Sequence, residues 1–166
     1  NNFKNIKHQS LINNVKINTT SYIWFSKMIA DYMYSNKTKG NIILLASIYG
    51  INAQNSYIYR GTKMSENLTY NFIKGGIINF CRSMAAHYGK FDIRVNCISP
   101  GAISGPVAGQ SNKQSKEFVK NYIKINPTKR LGIPQDIASA SIFLSSQASS
   151  YVNGANIVID GGWTIV

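Results

Sequence analysis

Residues 70–80 read Tyr-Asn-Phe-Ile-Lys-Gly-Gly-Ile-Ile-Asn-Phe, and no other stretch constrains the fold as much. Apolar residues recur at helical spacing through Ile73, Ile77, Ile78, Phe80, Met84 and Ala85. This period predicts a helix over 68–88, closed near Gly89. On such a helix Tyr70 and Lys74 lie one turn apart on one face. A free phenol titrates at about pH 10 and is a poor acid or base at neutral pH. A fixed cation beside it favours the phenolate. A helical Tyr-x-x-x-Lys is therefore a way to tune a proton donor for chemistry at a carbonyl or an alcohol.

Tyr59-Arg60-Gly61-Thr62-Lys63 repeats the spacing, but Gly61 interrupts it and no apolar period follows, so it reads as loop. After the predicted helix, 93–98 read Ile-Arg-Val-Asn-Cys-Ile, a strand pattern, followed by Ser99, Pro100 and Gly101. Upstream, 41–47 form a continuous apolar run between turn residues, as expected of a parallel-sheet strand covered on both faces. A long helix is predicted over 13–34 from Val15, Ile17, Tyr22, Ile23, Phe25, Met28, Ile29 and Met33, whereas 1–12 give little pattern. Asn18 falls inside that helix, where an amide is unfavourable; one explanation is a buried side chain bonded to nearby backbone. Residues 51–69 read as an irregular polar loop. A short helix is expected near 113–124 and another over 135–145, led by Pro134 with Asp136 in its first turn. Residues 155–160 read as a last strand. Strands alternating with helices predict an α/β fold with a parallel sheet. Ligands then bind at the carboxyl ends of the strands, where Ser47 stands.

Taken in order, these segments resemble the C-terminal part of the short-chain dehydrogenase/reductase superfamily. Pro100 follows Tyr70 by 100 − 70 = 30 residues and Tyr59 by 41; only the first interval is similar to the family's. The segment from Arg130 and Pro134 through Phe143-Leu144-Ser145-Ser146 to Asp160-Gly161-Gly162 resembles the family's ending. The resemblance runs from about Leu11 onward and implies a Rossmann-like doubly wound parallel sheet, of which about three strands and their helices are present. Residues 1–166 are thus expected to form the C-terminal part of one such domain. The resemblance further implies NAD or NADP as cofactor and four catalytic residues. Tyr70 is the proton donor, Lys74 its tuner and ribose ligand, Ser47 the holder of the substrate oxygen, and Asn18 the holder of a relay water. Tyr70 and Lys74, with Pro100, Gly101, Ile103 and Ser104, would face the nicotinamide. The interval from Ser47 to Tyr70, 23 residues, exceeds the family's usual one. With Ile48-Tyr49-Gly50 before it, it is similar to a subgroup associated with flagellin and surface-sugar modification. Residues 105–126 are read as a lid over the substrate.

The glycine-rich strand–turn–helix that holds pyrophosphate is not found: Gly75-Gly76 lies within a predicted helix and Gly161-Gly162 after the last strand. The chain opens on Asn1 without an initiator Met, so it is read as an excised or incomplete chain. Net charge is +12, which invites nucleic acid as a partner, yet the lysines are scattered. Their clearest row, Lys116, Lys120 and Lys124, reads first as a solvated helix face; the sharper reading is attraction for a phosphorylated or nucleotide-linked ligand. No metal-ligand spacing occurs, and Cys81 and Cys97 are expected to be buried reduced thiols. His8 and His87 are isolated, suited to surface or helix-end positions. No apolar run is long enough to span a bilayer. The expected protein is a cytoplasmic homodimer or homotetramer acting on a small, possibly sugar-derived molecule, with neither nucleic acid nor membrane as partner. The rival reading is a truncated, non-catalytic oligomerisation or interaction module.

Overall fold

The computed structural model describes residues 3–106 and 114–166. Three parallel strands, β1 (Gly40–Leu45), β2 (Ile93–Pro100) and β3 (Asn156–Ile159), lie in the order β1-β2-β3. Four helices accompany them: α1 (His8–Ser35), α2 (Leu68–Tyr88), α3 (Lys116–Ile125) and α4 (Pro134–Ser145). The helix expected near 113–124 is α3, and 107–113, part of the expected lid, lie outside the described residues.

β2 is central, and six of its residues, Ile93, Val95, Asn96, Cys97, Ile98 and Ser99, are buried. Its polar members are matched. Asn96 Nδ2 donates to Val152 O at 2.8 Å while its Oδ1 accepts from Ala155 N at 3.0 Å. Arg94 donates to Val152 O and Leu144 O at 3.2 and 2.9 Å. Paired in this way, a buried amide avoids the cost of an orphaned polar group. Arg94 and Asn96 therefore fasten the end of α4 and the approach to β3 onto the sheet.

The main core lies between α2 and the sheet. Ile73, Ile77, Ile78, Cys81, Met84 and Ala85 pack against Ile42, Leu44, Ile93, Val95 and Cys97. Burying an aliphatic side chain of this size stabilises by about 1.5–3 kcal/mol, so this face holds α2 in place. Asn67 caps the helix, its Oδ1 accepting from Thr69 N at 3.2 Å. Both cysteines are buried and free. His8 opens α1 and His87 sits in the last turn of α2.

One expectation needs correction: α1 begins at His8, five residues before the expected start at residue 13. β1 meets helices on both faces, unevenly: Ile42 and Leu44 are buried under α1 and α2, Asn41 and Ile43 are half-buried on the α4 side, and Leu45 is 45% exposed. Among the described residues its outer edge meets no strand. An apolar groove of about 350 Å³, lined by Tyr22, Phe25, Ile29, Ile42 and Leu44, runs alongside it. α1 buries only Ser26 and Ala30.

A second cluster lies beyond the carboxyl ends of the strands, formed by Ile48, Ile58, Phe118, Tyr122, Leu131 and Trp163. Tyr122 stacks on Trp163 with ring centres 4.1 Å apart, and its hydroxyl accepts from Ala102 N at 3.1 Å. That hydroxyl explains Gly101: a Cβ there would stand 2.8 Å from Tyr122 Oη and 2.9 Å from Asp160 Cα.

Candidate active site

α2 brings Tyr70 and Lys74 to the carboxyl end of β1. The Lys74 ammonium lies 5.6 Å from the centre of the Tyr70 ring. Lys74 Nζ donates to Leu45 O at 2.9 Å, so the helix-borne cation is fixed to the strand end two residues before Ser47. Burial is the main influence on Lys74 and lowers its pKa from the ordinary 10.5.

Ser47 is buried, and its Oγ accepts from Tyr49 N at 3.2 Å. Among the described residues its hydroxyl donates to none, so the proton remains available. The turn that follows, Ile48–Gly50, rests on α2. A Cβ on Gly50 would meet Lys74 C, Lys74 O and Gly75 N at 2.6, 2.7 and 2.9 Å. This close approach is what brings the Ser47 end of β1 against the Lys74 turn of α2.

Three tyrosines complete the wall, and the sequence pattern assigned none of them a place beside Tyr70. Tyr49 presents an edge to Tyr70 at 6.4 Å between ring centres. Burial is the largest of the causes that push its pKa far up, and the neighbouring Tyr59 adds to the rise. Tyr59 belongs to the turn Ser56–Tyr59 and stacks on Phe118 of α3 at 6.1 Å. The 51–69 segment is thus an ordered cover rather than a wholly irregular loop. Tyr22 on α1 donates to Leu45 O at 2.8 Å and stands 3.4 Å from Lys74 Nζ. Its helical spacing marked Tyr22 as core, and its hydroxyl left no local signal.

Asn18 is placed differently. It is exposed, and its amide donates to Asn14 O and Oδ1 at 2.9 and 2.8 Å, back along its own helix. The side chain is bonded to neighbouring backbone, as one expectation had it, but it is exposed and not buried. Its neighbour Thr19 carries a buried hydroxyl with no partner among the described residues.

At the end of β2, Pro100 and Gly101 lead to Ile103, which bridges Gly132. Ser104 N donates to Gly132 O at 2.7 Å, and Ile103 O accepts from Gln114 at 2.9 Å. Among the described residues the Ile103 N–H meets no acceptor and is available to a ligand carbonyl. The competing pair is split: Tyr59 supports the wall, and Lys63 lies in the loop beyond it.

These positions bear on the fit of a nicotinamide cofactor. Lys74 and the Ile103 N–H offer donors at the reactive end. Nothing described offers a pyrophosphate cradle, because the residues that precede the four helices are Lys7, Asn67, Ser115 and Ile133 and none opens a glycine-rich turn. Among the described residues no group of three or more His, Cys, Asp or Glu could hold a metal ion. None of the described helices is long and apolar enough to cross a membrane.

The family model described as enoyl-(acyl carrier protein) reductase matches residues 1–164. The chain belongs to the short-chain dehydrogenase/reductase superfamily. Among other members, it is 35% identical over 149 residues to a 7alpha-hydroxysteroid dehydrogenase of Bacteroides fragilis, covering 90% of this chain and 52% of that protein. It is 31% identical over 152 residues to glucose 1-dehydrogenase 2 of Bacillus subtilis, covering 91% and 54%. A crystal structure of a short-chain dehydrogenase from Leptospira borgpetersenii with bound NAD+ superposes with a TM-score of 0.84 at 33% identity, covering 99% of this chain and 60% of that one. The chain spans about half the length of the curated relatives it matches. Within the superfamily fold, the parallel strands, their flanking helices and the helix carrying Tyr70 and Lys74 are the parts described here.

Proposed function

We propose that the protein is an NAD(P)-dependent oxidoreductase acting on a carbonyl or an alcohol, with residues 1–166 as the C-terminal part of its dinucleotide-fold domain. The observation that carries this reading is the Lys74 ammonium, fixed to Leu45 O and 5.6 Å from the centre of the Tyr70 ring. When bound, the nicotinamide supplies or accepts the hydride. In the reductive direction Tyr70 Oη gives its proton to the substrate oxygen. Ser47 donates its free hydroxyl proton to that same oxygen and orients it. The positive charge of Lys74 stabilises the phenolate that Tyr70 becomes, and its remaining donors serve the ribose. Pro100, Gly101, Ile103 and Ser104 line the nicotinamide side, with the Ile103 N–H aimed at the carboxamide. The water-holding role of Asn18 has no support from its side chain, whose amide is engaged by Asn14.

The supporting relatives are steroid and sugar dehydrogenases. A surface-sugar substrate rests on the resemblance of Ile48-Tyr49-Gly50 and the long segment after it. The exposed apolar residues Ile17, Phe25 and Phe72, at 68%, 67% and 71% exposure, support association through α1 and α2. The same surface favours the second reading, a non-catalytic interaction module. Tyr70→Phe in the full encoded protein decides between them. Loss of NAD(P)H-linked turnover over a panel of carbonyl substrates, with unchanged circular dichroism and cofactor binding, is the expected result. Retained turnover overturns the assignment of Tyr70, and a folded protein that neither turns over nor binds cofactor is the module.

A further inference from the structure

The turn Ser56–Tyr59 and helix α3 meet at a basic cluster that the oxidoreductase chemistry does not use. Lys124 Nζ donates to Tyr57 Oη at 3.0 Å and lies 5.6 Å from the centre of that ring. Arg60 Cζ lies 5.2 Å from the same centre. Lys120, one turn earlier on α3, adds its field at the same phenol. The positions are braced: Asn121 Nδ2 donates to Ile58 O at 3.3 Å and to Arg60 O at 2.9 Å, clamping the turn onto the helix.

Among the described residues no carboxylate forms an ion pair with this cluster. Among the described residues the ion pairs are Lys27–Asp31, Lys39–Asp92 and Arg130–Asp136, and none includes Arg60, Lys120 or Lys124. Glu117, in the first turn of α3, borders the cluster beside Gly61 but forms no ion pair with Arg60, Lys120 or Lys124. Like charges held together without a counter-ion repel one another and raise the local affinity for anions. Tyr57 registers the same field: the hydrogen bond from Lys124 is the first cause of its lowered pKa, and the charges of Lys124, Arg60 and Lys120 add to it. Negative charge on oxygen is therefore favoured at this point. A guanidinium fork beside ammonium groups matches a phosphate, which it can engage through two parallel hydrogen bonds.

We propose that Arg60, Lys120 and Lys124 bind the phosphate group of a phosphorylated small molecule or free phosphate, at the junction of the Ser56–Tyr59 turn with α3. Tyr59 of the same turn neighbours Tyr49, whose ring edges Tyr70, so an occupied site would steady the cover over the catalytic wall.

The test is calorimetric titration of the full encoded protein with inorganic phosphate, inorganic pyrophosphate and glucose 6-phosphate at constant ionic strength in chloride. Saturable binding is expected, weakened at least fivefold by Lys124→Gln or Arg60→Gln. Lys90→Gln, which removes one charge near the opposite end of the strands, should leave it unchanged. Tighter binding of the sugar phosphate than of phosphate assigns the site to an organic ligand, and equal binding assigns it to the free ion. Absence of saturable binding, or equal weakening by Lys90→Gln, overturns the proposal. Thermal midpoints equal to wild type show that the variants fold. The readout needs no turnover, so it stands or falls separately from the oxidoreductase reading.

Discussion

The ammonium of Lys74 and the phenol of Tyr22 share one acceptor, the carbonyl of Leu45, at 2.9 and 2.8 Å. Three elements, α1, α2 and β1, thus meet at one oxygen, and the cation beside the Tyr70 ring is positioned by all three. Because Tyr22 Oη donates to Leu45, its lone pairs face Lys74 at 3.4 Å and favour the charged amine. Burial acts against that charge. Tyr22→Phe keeps the ring and removes the acceptor, so the Lys74 pKa falls further below 10.5. Activity that depends on the ammonium then fails at lower pH. A pH–rate profile of the variant should show its alkaline limb displaced downward, with the acid limb unmoved.

Gly50 is where the Ser47 turn touches α2. The atoms that an added Cβ would meet, Lys74 C and O and Gly75 N, are backbone and cannot rotate away. Gly50→Ala must therefore push the Ile48–Gly50 turn off the helix, with an overpacking cost of about 1–3 kcal/mol. The melting temperature should fall. Turnover should fall further than stability alone explains, because Ser47 moves with the turn while Tyr70 and Lys74 stay on the helix.

Much of this arrangement was legible because it is local. The period through Ile73, Ile77, Ile78 and Met84 gave α2 its observed ends, and Arg94-Val95-Asn96 fell on β2 as expected. What escaped depends on distance along the chain. The hydroxyl of Tyr22 acts 23 residues away on Leu45, and no helical spacing encodes that. Tyr59 is held in the wall by Phe118 of α3, 59 residues away along the chain. The start of α1 was missed because its first turns are rich in polar side chains. β1 reads as a strand covered on both faces, and helices meet both, but hydrophobicity does not record how fully each neighbour covers it.

Arg130 and Asp136 test the electrostatics outside the site. Arg130 Nη1 donates to Asp136 Oδ2 at 2.7 Å, and Nη2 donates to Oδ1 at 3.2 Å. The same carboxylate accepts from Ile133 N at 2.8 Å at the start of α4. The Arg130 hydrogen bond is the first cause, and the Ile133 N–H the second, that hold Asp136 below its ordinary 3.8. The folded pKa is depressed, so the stabilisation is present above the unfolded value and lost as pH falls through the folded one. The pair is exposed to solvent, so the effect is small and weakened by salt. Arg130→Met should bring the Asp136 carboxyl back toward 3.8 in an NMR titration while leaving part of the depression, because the Ile133 N–H remains. Thermal unfolding between pH 5 and about pH 2 should then fall less steeply in the variant than in wild type. An unchanged Asp136 titration would mean that the helix-start N–H alone sets its acidity.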